Sequence, residues 1–455
     1  MMEVDSQMEA PQVAVILAAG SGSRLYPTAN TPKPLIKVLG LSLAERVIST
    51  LCQAVNIRHF IVVLGFEAEL VKEHFIDIAR RRGVTIEFCM AENWLRGNGS
   101  SALAAKGHTG AAPFFLVMSD HLFDPAIPQA LAQNPPAPGT ICLAVDHDKT
   151  GIFDLDDVTR VRITNNRIKA IYKHLEQWDA GDTGVFLCTL GLFDGLEAAV
   201  SRGRYGLSDA LHELAQEGRA GTVDVTGQSW LDVDTPEAFH EAEHRLLQEL
   251  GGKPSDGPVA RHLNRPLSRW ITGYLVRTPV TPNLISFASW LLSCFAAILF
   301  MIGGYPALAL GGLVAQFASI IDGSDGEVAR LKHSESKAGA WFDAVLDRYA
   351  DAFLLFGLTW HEFSANNTHL SLVIGFAAII GSYMISYTAD KYDGLMARRL
   401  RGAVYFRLGR DIRVFIIFLG ALFNQPLFTL IVIALIMNIE VVRRVTVCML
   451  EKLPE

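Results

Sequence analysis

Between residues 322 and 347 the chain sets four aspartates at two spacings: Asp322 and Asp325 are three apart, Asp343 and Asp347 four apart. On a helix each pair shares one face. Both pairs adjoin strongly apolar runs, where a carboxylate is costly enough to mark a function. Two such pairs facing each other would hold divalent cations through hard oxygen ligands. The plainer reading is solvated acids at two helix ends. It does not explain the small residues Gly326, Ala329 and Gly339 among them, or Arg330 beside them.

A second set of chemical residues lies nearer the N-terminus. Residues 13–19 (VAVILAA) read as a buried strand, and Gly20-Ser-Gly22-Ser-Arg24 follows at once. Strand, glycine turn and helix start make a phosphate cradle, because bare N–H groups and the helix dipole face the anion. The lysine pattern of a P-loop ATPase is absent. The apolar run 114–118 delivers Ser119-Asp120-His121 at its C-terminal end. Ligands of open α/β sheets bind at such ends. Asp232 and Asp234 alternate on an extended segment and point to one face. Either could join Asp120 at one site, with a lean to Asp232.

The elements around these residues divide the chain. Up to about residue 250 the pattern is α/β, with strands at 60–64, 84–89 and 114–118 and a helix at 67–82. A linker rich in Gly and Pro covers 251–260. From 261 onward apolar runs dominate, and six are read as spans: 284–302, 305–321, 340–359, 369–388, 412–424 and 426–442. Lys and Arg fill the segment before the first span, the second-to-third and fourth-to-fifth loops and the C-terminal end. The connections near 303, 360–368 and 424 hold none. The positive-inside rule then puts both termini and the acid cluster in the cytoplasm, on the inner face of a cell membrane. Residues 264–278 pair Leu267, Trp270, Ile271 and Leu275 with arginines and read as a helix lying on the membrane surface.

At 455 residues, two domains or more are expected. A net charge of −7 is mild, and no nucleic-acid partner is expected. The six cysteines form no CxxC and suit structural thiols in a reducing cytosol. The acidic start MMEVDSQMEAPQ has no basic n-region, so no secretory signal is read.

The string Asp322-x2-Asp325-Gly326-x2-Ala329-Arg330-x8-Gly339-x3-Asp343-x3-Asp347 resembles the signature of the CDP-alcohol phosphotransferases at every defining position. The resemblance implies that the four acids bind two metals. It also implies that Gly326, Ala329, Arg330 and Gly339 meet the nucleotide and that Asp347 is the general base. Lys391, Arg407, Arg410 and Arg413 would hold the acceptor phosphate, a task suited to the arginine fork.

The wider string LAAGSGSRL-x6-PKPL resembles the nucleotidyltransferases that activate sugar phosphates. It implies nucleotide contacts at Leu17, Ala18, Ala19, Gly20, Gly22, Asn98, Gly99 and Ser100, phosphate contacts at Arg24 and Lys33, and magnesium at Asp120 with Asp232 or Asp234 as its second ligand. Lys173 and Asp182-Thr-Gly184 lie where these enzymes hold a polyol phosphate. This set resembles the inositol-1-phosphate cytidylyltransferases, which have Gly where this chain has Tyr172.

The whole resembles bifunctional enzymes that fuse such a domain to a di-myo-inositol phosphate phosphate synthase. The fold implied is a Rossmann-like α/β cytoplasmic domain joined to an all-α integral membrane domain of six helices. The implied partners are CTP, inositol 1-phosphate, CDP-inositol and membrane lipids, with a homodimer through the membrane helices. The implied cofactor is Mg2+, one or two ions per site, with Mn2+ as an alternative. Six spans also suit a phospholipid synthase fed by another polyol or aminoalcohol. A silent membrane anchor or a transporter is disfavoured by the complete acid set and the absence of a clear repeat.

Overall fold

The computed structural model describes residues 10–22, 24, 31–251, 257–396 and 409–450, and only the backbone of 390–396. It divides into two compact units, Met1–Arg245 and Leu246–Glu455.

The first unit is built on a nine-stranded sheet. Its strands are β1 (Val13–Ala18), β2 (His59–Leu64), β3 (Thr85–Met90), β4 (Phe114–Met118), β5 (Ile141–Asp146), β6 (Arg160–Thr164), β7 (Arg167–Tyr172), β8 (Ala180–Cys188) and β9 (Ala220–Asp224), in the order β3-β2-β1-β4-β8-β5-β9-β7-β6. β1 runs parallel to both β2 and β4, while β8 runs antiparallel to β4 and β5. Period-2 alternation gives the sheet two buried faces. Val15 and Leu17 enter one core layer, and Ala14, Ile16 and Ala18 enter the other. Beside the sheet, His121–Phe123 pairs antiparallel with Trp230–Asp232, and Asp232 lies opposite His121.

The second unit is helical: α1 (Arg265–Leu275), α2 (Pro282–Ile302), α3 (Tyr305–Leu331), α4 (Lys337–Asn366), α5 (His369–Met396), α6 (Arg410–Leu422) and α7 (Pro426–Leu450). Side-chain caps set two of the starts. The Thr281 hydroxyl accepts from the Leu284 N–H with Pro282 at the first position, and Ser336 accepts from the Gly339 N–H at 3.0 Å. α2 packs against both α3 and α4, and α6 packs against α3.

Among the described residues, six helices follow α1. Among the described residues, four of them are long and apolar enough to cross a membrane: α2, α3, the Ala389-ended part of α5, and α7. The other two fall short for different reasons. α4 is 30 residues long but carries Asp343, Asp347, Arg348 and Asp351, and α6 has only 13 residues. All six cysteines are free.

Candidate active sites

In the first unit a cavity of about 440 Å³ opens at the C-terminal ends of β1 and β4. Leu17, Ala19, Gly20, Gly22, Arg24, Lys33, Asn98, Asp120, Lys173, Asp232 and Asp234 all line it. Lys33 sits between two acids, with Nζ 2.5 Å from Asp120 Oδ2 and 3.2 Å from Asp232 Oδ1. Burial alone would lower the Lys33 pKa, but Asp120 and Asp232 outweigh it and the value is raised. Burial likewise opposes the ionised Asp120, yet Lys33 and His121 hold it below the usual carboxylate range. Gly22 has φ +57°, and a Cβ there would meet Lys33 Cβ at 2.8 Å, so glycine lets the turn close over the lysine.

Arg24 pairs with Asp234 and, at 3.1 Å, with Asp157. Lys173 Nζ reaches the same Asp157 at 2.7 Å. Two of the three cations expected on phosphates, Arg24 and Lys173, are thus gathered by one carboxylate. Burial pushes Asp182 up to about 6, and its Oδ1 accepts from the Gly184 N–H at 2.8 Å.

Three expected nucleotide contacts need correction. The Ala18 side chain faces the core layer on the other side of the sheet. Gly99 and Ser100 turn toward Tyr205 and Gly206 instead of lining the cavity: a Cβ at Gly99 would lie 2.7 Å from Gly206 backbone, and the Ser100 N–H donates to the Tyr205 carbonyl. Their turn places Asn98, whose Oδ1 caps the Leu207 N–H at 2.8 Å.

Two residues of this site escaped the sequence analysis. His121 donates toward Asp120 at 3.0 Å, and the pair Asp120–His121 forms with Asp232 a group whose ligand atoms lie within 4.8 Å of one another. Burial works against its cation, but Asp232 and Asp120 raise its pKa to about 9. Its place directly after Asp120 was a usable signal. Asp157 had none, because its partners lie 133 and 16 residues away. Asp157, Asp232 and Asp234 make a second close group.

In the second unit the oxygens of Asp322, Asp325 and Asp343 lie within 4.8 Å of one another. Serines of α2 aim two of them. Ser289 Oγ donates to Asp322 at 2.8 Å and Ser286 Oγ to Asp325 at 2.5 Å. These serines sit at i,i+3 of an apolar run, a signal visible in the sequence but not used there. Arg410, the first residue of α6, reaches the cluster: one nitrogen, Nη1, is 2.7 Å from both Asp322 Oδ2 and Asp347 Oδ1. The donor set is hard oxygen, and Asp343 Oδ1 is buried without a hydrogen-bond partner, as is Arg330 Nη2. Such atoms suit a divalent cation and a phosphate. Gly339 leaves room for the Ser336 cap, since a Cβ there would meet Ser336 Oγ at 2.9 Å. Ala329 is buried and Gly326 partly so.

The two described members of the expected acceptor cluster, Arg410 and Arg413, both turn to acids. Arg413 is only 3% exposed, and its Nη2 lies 2.6 Å from Asp351, so it serves a buried ion pair and not an open phosphate pocket. Arg407 and the side chain of Lys391 lie outside the described residues. The surface-helix reading also needs one change. Arg265 of α1 is buried, and it meets Glu327 of α3 at 2.9 Å together with Ser268 at 2.7 Å and Thr272 at 2.8 Å. The opposite face exposes Leu267, Trp270 and Tyr274.

Residues 13–249 match the family model described as nucleotidyl transferase, and residues 279–447 match the one described as CDP-alcohol phosphatidyltransferase. The chain is 34% identical over 432 residues to a protein of Rubrobacter xylanophilus named bifunctional IPC transferase and DIPP synthase, covering 95% of each chain. It is 34% identical over 442 residues to the Aquifex aeolicus protein of the same name, covering 95% of this chain and 96% of that one. The solved inositol-1-phosphate CTP transferase of T. maritima is 23% identical and covers 53% of this chain and 98% of its own, with a TM-score of 0.47.

Proposed function

The chain belongs to the family of bifunctional IPC transferases and DIPP synthases, and on that premise we propose how its residues divide the two reactions. The first unit joins CTP and inositol 1-phosphate into CDP-inositol and diphosphate. The second transfers inositol phosphate from CDP-inositol to a hydroxyl of another inositol 1-phosphate. The products are di-myo-inositol phosphate phosphate and CMP.

In the first step Arg24 and Lys33 hold the triphosphate and the attacking phosphate, and Lys173 with Asp182 positions the inositol phosphate. The bond between the α- and β-phosphates of CTP breaks as the sugar phosphate oxygen attacks. Asp120 and Asp232 hold magnesium; Asp232 supports this role better than Asp234, because it shares Lys33 with Asp120 while Asp234 is taken by Arg24. In the second step Asp322, Asp325, Asp343 and Asp347 would hold divalent cations, and Arg330 contacts the nucleotide. Cations held there would neutralise charge developing on the CMP leaving group. Asp347 takes the proton of the attacking hydroxyl. The observation that carries this reading is the convergence of Asp322, Asp325 and Asp343 within 4.8 Å on helices that also bring Asp347 to Asp322 through Arg410.

All six helices after α1 cross the membrane; the acid-bearing α4 presents Tyr349, Phe353, Phe356 and Trp360 outward, a stripe suited to lipid. The pattern of Lys and Arg supports a cell-membrane location with both termini and both sites cytoplasmic. Residues 1–250 then work as a cytoplasmic domain, 251–260 as its linker and 261–455 as the membrane domain, which dimerises through its helices.

The test is a product assay. Purified protein given CTP, inositol 1-phosphate and Mg2+ releases diphosphate and then CMP, with a phosphodiester of two inositol phosphates as the product identified by mass spectrometry. CMP release that requires an added lipid would sink the soluble acceptor and favour a phospholipid synthase, a reading kept in view by the four membrane-type helices.

A further inference from the structure

Arg410 occupies an unusual place for a residue that binds an acceptor phosphate. Its guanidinium lies inside the acid cluster, with a side chain 12% exposed. Nη1 is equidistant from Asp322 on α3 and Asp347 on α4, which is where a bridging cation would stand. Asp325 and Asp343 have no side-chain cation within 4.0 Å among the described residues. The four acids are thus split into an open half and a half already neutralised from within.

The attachment of Arg410 is one-sided. Nε stands 3.4 Å from Asp351 Oδ1 and makes no hydrogen bond. Asp351 accepts from Arg413 at 2.6 Å and from Ser382 at 3.3 Å, both on Oδ2, which leaves Oδ1 facing the Arg410 Nε. Asp351 therefore fixes the root of the arginine without needing its head. A guanidinium and a divalent cation cannot share two oxygens at this distance, because like charges so close repel strongly in a half-buried site.

We propose that Arg410 is a built-in counter-cation at the second of two cation positions. It competes with the divalent ion for Asp322 and Asp347, and it is freed for a phosphate anion only when that ion binds. The consequence is an order of events. An open half, centred on Asp325 and Asp343, loads first. Loading of the second position frees Asp347 to act as a base and releases Arg410 toward the acceptor at the same time. This rests on the metal-binding reading of the second unit given above, and it goes beyond it by assigning Arg410 two alternating partners.

The test is Mn2+ binding to the full chain in detergent, read by the electron paramagnetic resonance of free Mn2+. An Asp120→Ala, Asp232→Ala background silences the first unit. This parent should show one tight and one weak class. Adding Arg410→Gln should tighten the weak class by about tenfold or more, and Arg410→Lys should fall between, since an ammonium bridges without the fork. A merely structural arginine would do the reverse: its loss would weaken binding or leave both classes unchanged, and either result overturns the proposal. Thermal melting of each variant, with and without Mn2+, supplies a second readout. A larger Mn2+-induced rise in melting temperature for Arg410→Gln than for the parent supports competition, and an equal or smaller rise refutes it. If the parent binds no Mn2+ at all, the metal reading of the second unit falls with the proposal. If Arg410→Gln loses transfer with unaltered Mn2+ affinities, only the proposal falls.

Discussion

In the first unit Asp120 and Asp232 meet because two short strands pair, with His121 opposite Asp232. In the second, Asp322 and Asp347 meet because α3 and α4 both pack on α2, and α6 carries Arg410 between them. Both sites place a side-chain cation between two carboxylates, Lys33 in one and Arg410 in the other. They differ in what sets the distance. Backbone register fixes the strand pair, so a disturbance there moves acid and histidine together. Side-chain packing and serine hydrogen bonds fix the helix pair, so each acid can be loosened alone. A β site is therefore sensitive at its turns, and a helical site at the neighbours of each acid.

The largest effects should separate the two sites. Asp347→Ala should cut CMP release by about a thousandfold or more while diphosphate release continues and CDP-inositol accumulates. Asp120→Ala should stop diphosphate release yet leave transfer from supplied CDP-inositol. If either variant stopped both steps, the two reactions would not be divided between the units.

Gly184→Ala tests the sensitivity of the strand site. Gly184 has φ +75°, and an added Cβ would collide with the His121 ring. About 1–3 kcal/mol of backbone strain is expected, with diphosphate release reduced and transfer from CDP-inositol intact. Differential scanning calorimetry and the two product assays check this, and an unchanged first step would remove His121 from the argument.

Ser289→Ala is the matching change in the helical site. It removes one hydrogen bond to a carboxylate, worth about 1.5–3 kcal/mol when the acceptor is charged, so CMP release should fall about ten- to a hundredfold. Ser286→Ala should act on Asp325 alike, and the double variant shows whether the two acids loosen independently.

The smallest effect expected is in pH. Burial raises the Asp182 pKa to about 6, so this carboxylate is ionised above that pH and protonated below it. Its charged form accepts hydrogen bonds from polyol hydroxyls better, so the KM for inositol 1-phosphate should rise about threefold as pH falls from 7 to 5. Asp182→Asn should flatten that rise, which steady-state kinetics would show.

The chemistry of this chain was more legible than its packing. Four acids at i,i+3 and i,i+4, and a glycine turn after an apolar strand, are local patterns, and local patterns survive in a one-dimensional string. Asp157 was invisible because its meaning comes from Arg24 and Lys173, which only the fold brings to it. Arg413 misled because an arginine near a helix end looks the same whether it faces a ligand or a buried Asp351. Six helices could be counted from hydropathy, but α4 and α6 depart from the apolar ideal because one carries the acids and the other is short.

α1 gives Arg265, Ser268 and Thr272 to Glu327, a residue 0% exposed and two positions beyond Asp325. What remains outward is Leu267, Trp270 and Tyr274. At a bilayer surface such a helix floats at the headgroup level. A rigid strut then joins that level to the acid-bearing turn, so the depth of the acid cluster follows the water line and not the thickness of the hydrocarbon. Membranes of different thickness would stretch or tilt the far ends of α2 and α3 while the reacting carboxylates keep their height.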